Sequence, residues 1–276
     1  MLGEDVHEAL TLVGHQVIPF TSKTIDITQP DSIQSALEAH SDAEVLINSA
    51  AFTKVDQCET KQDLAMAVNG EGPGHIATFC NANNIHMIHY STDYVFDGTK
   101  NGPYTETDTP NPVSIYGQSK LAGELTIQKN CPDHTIFRVQ WLYGHNGHHF
   151  IKTVVTLAES RDTLRIVSDQ TGTPTWTGDI AKMTVNWIDR PLYDLGKPDP
   201  GIYHYRPEGV TTWANYTRQI FQVTNRPTQV QDIRTEHYPL PAKRPSNGQL
   251  NTDKIKALGI TPPDWKISLE TYLKSH

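Results

Sequence analysis

Two passages decide how this chain folds: HMIHYSTDYVFDG at residues 86–98 and YGQSKLAGE at residues 116–124. The first begins as an apolar run and ends in hydroxyls at Ser91 and Thr92, the pattern of a buried strand with polar groups at its carboxyl end. In an open parallel sheet, ligands collect beyond the carboxyl ends of the strands. The second passage sets Tyr116 and Lys120 four residues apart, on one face of a helix. An ammonium there favours the phenolate and lowers the phenol pKa, which makes a tyrosine usable in proton transfer near neutral pH. Another pair at this spacing, Tyr193 and Lys197, lies in the Pro- and Gly-rich stretch RPLYDLGKPDP and reads as loop. Ser91, Thr92 and Asp93 also have a plainer reading, as residues that cap or turn the chain.

Outward from these passages, short apolar runs alternate with helical stretches. Residues 16–20 (QVIPF), 44–50, 134–140 and 164–168 read as further strands. Val6, Ala9, Leu10 and Val13 share one helical face, with Gly14 placed as a C-terminal cap. Pro30 opens a second helix with Asp31 in its first turn. Residues 60–83, 114–129, 149–161, 178–189 and 212–224 read as more helices. This alternation predicts an α/β fold: a doubly wound parallel sheet covered on both faces. After about residue 145, Pro and Gly punctuate more often, and 236–250 reads as an extended loop. The expected organisation is a dinucleotide-binding domain over 1–145, with 178–200 packing back on it. A smaller mixed substrate lobe takes 146–177 and 201–276, and a ligand cleft lies between the two.

Composition narrows the function. The 276 residues carry 31 acidic and 23 basic side chains, a net charge of −8. That argues against a general binder of nucleic acid or anionic membrane. No run approaches the roughly 18 apolar residues of a membrane span, and MLGEDVHEAL is not a signal peptide. Cys58, Cys80 and Cys131 form no CxxC pair, so reduced thiols in a cytoplasm are expected. The run His145-Asn-Gly-His148-His149 reads as a polar loop before a helix, with no carboxylate or Cys to complete a metal site. Trp187, Trp213 and Trp265 fall on helical spacings and read as core.

The motifs also carry a resemblance. NSAA at 48–51, STDYVFDG at 91–98, PNP at 110–112, YGQSKLAGE at 116–124, RVQWLYG at 138–144, SDQTGTPT at 168–175 and Arg244-Pro together resemble the extended short-chain dehydrogenase/reductase family. More narrowly they resemble its dTDP-4-dehydrorhamnose reductase branch and the spore-coat polysaccharide reductases near it. The similarity runs over nearly the whole chain. It implies a Rossmann-like sheet and NAD(P)H-dependent reduction of the C4 ketone of a nucleotide-linked deoxysugar, dTDP-4-dehydro-L-rhamnose, for polysaccharide synthesis. Tyr116 would protonate the ketone oxygen, Lys120 would lower its pKa and hold the nicotinamide ribose, and Thr92 would polarise the carbonyl. Asp93, Trp141 and Arg244 would contact the sugar nucleotide together with Thr92. Ala50, Ala51, Thr53 and Ser91 would border the cofactor, and Asp26 and Ile27 would flank its adenine. No acidic residue follows Phe20 to bond a ribose 2′-hydroxyl, and Ser22 or Lys23 can meet a 2′-phosphate, so NADPH is expected before NADH. The resemblance is compatible with a homodimer. Some relatives hold magnesium at a dimer contact; Asp5 matches one ligand and nothing matches the others, so no metal is expected.

The chain departs from the family at its start. A dinucleotide fold opens with a strand and a Gly-rich turn that cradles pyrophosphate on a helix N-terminus. Here Gly3 reads as the last glycine of that turn and residues 4–13 as the helix after it, without the first strand. The expectation is a start truncated by some ten residues, or else a degenerate, non-catalytic paralogue, and weak NAD(P)H binding by the chain as written. Gln140 also stands where relatives often carry Ser or Thr. An epimerase or dehydratase of the same superfamily fits the STDYVFDG wording less well.

Overall fold

A computed structural model describes residues 1–190 and 199–274. The Tyr193–Lys197 pair lies outside the described residues.

Four parallel strands form the main sheet in the order β1 (Val45–Asn48), β2 (His86–Thr92), β3 (His134–Val139), β4 (Gly201–His204). Register pairs Val45 with His86, Thr92 with Val139 and Thr135 with Gly201. Both central strands are buried nearly throughout, so their side chains alternate between two cores rather than between core and water. Ile88, Tyr90, Phe137 and Val139 point to one face. There they pack under α1 (Leu2–Leu12) and α5 (Thr177–Asp189), against Val6, Leu10, Ile180 and Trp187. Met87 and Ile136 point to the other face, against α2 (Pro30–Leu37), α3 (Gly72–Ala82) and α4 (Ile115–Asn130) through Ile33, Ile76, Phe79 and Ile127. Each such fully buried aliphatic or aromatic side chain contributes roughly 1.5–3 kcal/mol. The chain is therefore the expected doubly wound α/β fold.

Several boundaries need correcting. Residues 16–20 form no strand. They carry no regular element, with Val17 and Phe20 only partly buried and Ile18 exposed. Among the described residues no strand lies beside them to complete a ladder, and Pro19 has no N–H to donate. Conversely, Gly201–His204, assigned above to the C-terminal lobe, is the fourth strand of the main sheet. Gly3 lies inside α1, not in a turn. A Cβ there would come within 2.5 Å of Ser49 Oγ, so the glycine lets α1 press against the end of β1. Gly14 does terminate α1, with φ +98° and its N–H on Thr11 O.

The C-terminal lobe gathers around Tyr143, Val154, Trp176, Tyr216, Phe221, Trp265 and Leu269. It carries a small parallel pair, Thr163–Val167 with Gln229–Ile233, and helix α6 (Trp213–Val223). Residues 145–149 form the loop before the helix Phe150–Leu157. Cys58, Cys80 and Cys131 are free and buried. Among the described residues no helix is long and apolar enough to cross a membrane.

Candidate active site

The site forms where β2 and β3 end. β2 delivers Thr92, and a 3-10 turn (Asp93–Val95) follows at once. Thr92 Oγ1 accepts from Tyr94 N–H at 3.2 Å and donates to Asp93 Oδ1 at 3.1 Å. Opposite, Ser114 caps α4, its hydroxyl accepting from Gly117 N–H at 3.2 Å. Tyr116 and Lys120 then project from one face of that helix, with the Tyr116 phenol close enough to Thr92 for its hydroxyl to favour the phenolate. The helix carries two glycines despite their cost of about 1 kcal/mol each. A Cβ at Gly117 would lie 2.2 Å from Tyr94 O and one at Gly123 2.2 Å from Asn69 O. Both glycines thus allow a close approach: the loop after Thr92 on one side and the chain before α3 on the other.

Lys120 is buried. Its Nζ lies 2.7 Å from Tyr90 O, to which it donates, and 3.0 Å from His89 Nε2. On the far side of that ring, Asn48 Nδ2 meets His89 Nδ1 at 3.1 Å, while Asn48 Oδ1 accepts from Ala50 N–H. Burial and the neighbouring ammonium hold the imidazole pKa well below its usual value, so His89 is neutral and has one acceptor nitrogen. Burial pushes the Lys120 pKa down, to about 8.

Tyr116 departs from expectation. Burial raises its pKa above 10, and the nearby Thr92 hydroxyl offsets only part of that. Lys120 is committed to Tyr90 and His89, so burial, not the ammonium, governs the phenol here. Asp93 is 3% exposed, and burial lifts its pKa to about 7 against the opposing Thr92 hydrogen bond.

The other expected residues divide. Ala50, Ala51 and Thr53 sit in the turn after β1, which Asn69 ties down: its Oδ1 accepts from Phe52 N–H and its Nδ2 donates to Ser119 Oγ. Asp26 accepts from Thr28 N–H and Thr28 Oγ1, and Ile27 is buried against Gly72. Ser91 turns away from the proposed cofactor side. Its hydroxyl donates to Glu124 Oε1 at 2.5 Å, deep in the protein, because successive residues of a strand face opposite ways. Arg244 makes a two-pronged pair with Asp56, at 2.9 and 2.8 Å, and this interaction lowers the Asp56 pKa. Trp141 has φ +48° and stacks on Trp213 with ring centroids 3.7 Å apart. Trp213, read above as core, is instead half-buried and belongs to this aromatic wall. Sequence reasoning also missed His89, whose apolar strand neighbours concealed it, and the buried pair Glu124–Arg138. Glu124 is the last residue of YGQSKLAGE and was legible there.

The family model described as "RmlD substrate binding domain" matches residues 1–276. The spore coat polysaccharide biosynthesis protein SpsK of Bacillus subtilis is 36% identical over 273 residues, 99% of this chain and 93% of that protein. The dTDP-4-dehydrorhamnose reductase of Salmonella typhimurium is 39% identical over 238 residues, 83% of this chain and 79% of that enzyme. Among solved structures, the Bacillus anthracis dTDP-4-dehydrorhamnose reductase in complex with NADP superposes with a TM-score of 0.93 at 31% identity, covering 100% of this chain and 95% of that one.

Proposed function

Because the chain belongs to the RmlD substrate-binding-domain family, we propose that it is an NADPH-dependent reductase of the C4 ketone of dTDP-4-dehydro-L-rhamnose, serving polysaccharide precursor synthesis. The observation that carries this is that Thr92, at the carboxyl end of β2, and the Tyr116 phenol come together, with Lys120 one helical turn on. The Bacillus anthracis relative with NADP supports the choice of cofactor.

The residues present fit that cofactor at its nicotinamide end. Ala50 and Ala51 put only methyl side chains in the turn after β1, and Tyr116 and Lys120 share a helical face. NADPH, when bound, supplies the hydride to the ketone carbon. Thr92 polarises the carbonyl and Tyr116 gives its phenolic proton to the oxygen, leaving the alcohol. Burial favours this direction: a phenol with a raised pKa stays protonated until the alkoxide forms. Asp93, Trp141 and Arg244 take the sugar nucleotide, Thr53 supports the cofactor turn, and Asp26 and Ile27 flank the adenine. The domain division at about residue 145 is retained, with β4 added to the first domain. The free, buried cysteines support a cytoplasmic location.

A non-catalytic paralogue is not favoured, since Thr92, Tyr116 and Lys120 are all present and assembled. The test is NADPH oxidation driven by dTDP-4-dehydro-L-rhamnose. Tyr116→Phe should lower kcat roughly 10²–10⁴-fold with little change in KM. Full activity in Tyr116→Phe would remove this residue as the acid.

A further inference from the structure

Gln140 plays no part in the chemistry above. It follows Val139, which pairs with Thr92 across β3 and β2, so Gln140 stands beside Asp93, each one residue past the last paired position. Its side chain is 2% exposed, and neither Oε1 nor Nε2 has a hydrogen-bond partner. A buried amide with both ends unpaired is rare in a folded protein.

Its surroundings show where the amide looks. A Cβ on Gly248 would lie 3.3 Å from Gln140 Oε1 and 2.4 Å from Asp93 Oδ2. A Cβ on Gly172 would lie 2.9 Å from Gln140 Oε1 and 2.7 Å from the Trp141 ring. Two glycine backbones therefore close over the amide. They are fixed to each other's strand, since Gly248 N–H donates to Thr171 O at 2.8 Å. A side chain on either glycine would collide with Asp93, Gln140 or Trp141, so only glycine lets the backbone lie this close to the amide. What the amide lacks is a small partner that both donates and accepts, which is the bonding of a hydroxyl.

We propose that Gln140 is a specificity-determining residue that, with Asp93, reads a ring hydroxyl on the sugar carbon next to the reacting ketone. This rests on the reductase reading. Thr92 holds the ketone oxygen and Asp93 is the next residue, so the group that reaches Asp93 and Gln140 is borne by an adjacent carbon. A sugar with that hydroxyl pairs the amide; a deoxy analogue leaves it buried and unpaired, and sites of this kind reject the analogue steeply.

Calorimetric titration of dTDP-L-rhamnose, of its analogue lacking the hydroxyl next to C4, and of dTDP alone tests this without turnover. The unaltered chain should prefer dTDP-L-rhamnose to the analogue by about ten-fold or more. Gln140→Met, an apolar side chain of similar volume, should lose that preference while binding dTDP unchanged and melting no lower than the unaltered protein. Gln140→Asn, which withdraws the amide by one methylene, should lose it too. If either variant, folded, still prefers dTDP-L-rhamnose as strongly, the proposal is overturned. Failure of the unaltered chain to bind dTDP-L-rhamnose overturns this proposal and the reductase reading together. Gln140-dependent binding without NADPH oxidation by the keto-sugar overturns the reductase reading alone.

Discussion

Two buried polar assemblies lie beside β2 and β3, and they are finished differently. Behind the sheet end, Arg138 Nε and Nη2 donate to Glu124 Oε1 and Oε2 at 2.9 and 2.6 Å, Ser91 donates to the same carboxylate, and His204 lies 3.4 Å from Arg138. Both charges are almost wholly buried. In front, Thr92, Asp93 and Gln140 present polar atoms that the protein leaves partly or wholly unpaired. Leaving a buried donor or acceptor unmade costs about 1–3 kcal/mol. The difference teaches which polar groups hold the fold and which are proposed to face a ligand: the first set is closed on itself, and the second is not.

The harshest way to break that contrast is Arg138→Met, which strands a buried carboxylate. It should cost about 3–5 kcal/mol in urea unfolding, and pairing it with Glu124→Leu should recover most of the loss. A cost under about 1 kcal/mol would deny the pair its structural role. Next is Asp93→Asn. The folded pKa of Asp93 is raised to about 7 from a usual value near 3.8. The carboxyl therefore costs nothing below the unfolded value, and stability is lost as pH rises from about 4 through 7. At pH 8, Asp93→Asn should be the more stable protein, by roughly 2–4 kcal/mol, and the gain should vanish near pH 3. An equal gain at both pH values would mean the carboxyl is not held neutral by burial. Smallest is Trp213→Leu. Losing the stack on Trp141 should cost about 1 kcal/mol in stability but raise KM for the sugar nucleotide more than KM for NADPH, by steady-state kinetics.

What could be read in the sequence followed from local, repeated signals. β2 and β3 announce themselves by continuous apolar runs, and the Tyr116–Lys120 pair by its spacing on a capped helix. Three things were not legible. Gly201–His204 is four residues long among Pro and Gly, and only its parallel pairing with Thr135–Arg138 makes it a strand. Residues 16–20 carry strand-like residues but find no ladder. The tuning of Tyr116 depends on how deeply it is buried and on where Lys120 Nζ is engaged, and spacing encodes neither. Gln140 was visible as a departure, but its unpaired state appears only once Gly172 and Gly248 are folded over it.

Asn69 has a consequence for anyone who would re-engineer this enzyme. One side chain fastens the turn carrying Ala50 and Ala51 to Ser119, the residue before Lys120 on the Tyr116 helix. The turn proposed to border the cofactor and the helix proposed to carry the acid are thus not independent modules. Changes made in the turn to alter cofactor preference will be felt at the acid, and paired substitutions across Asn69 should be non-additive while the same substitutions in an Asn69→Ala background sum simply.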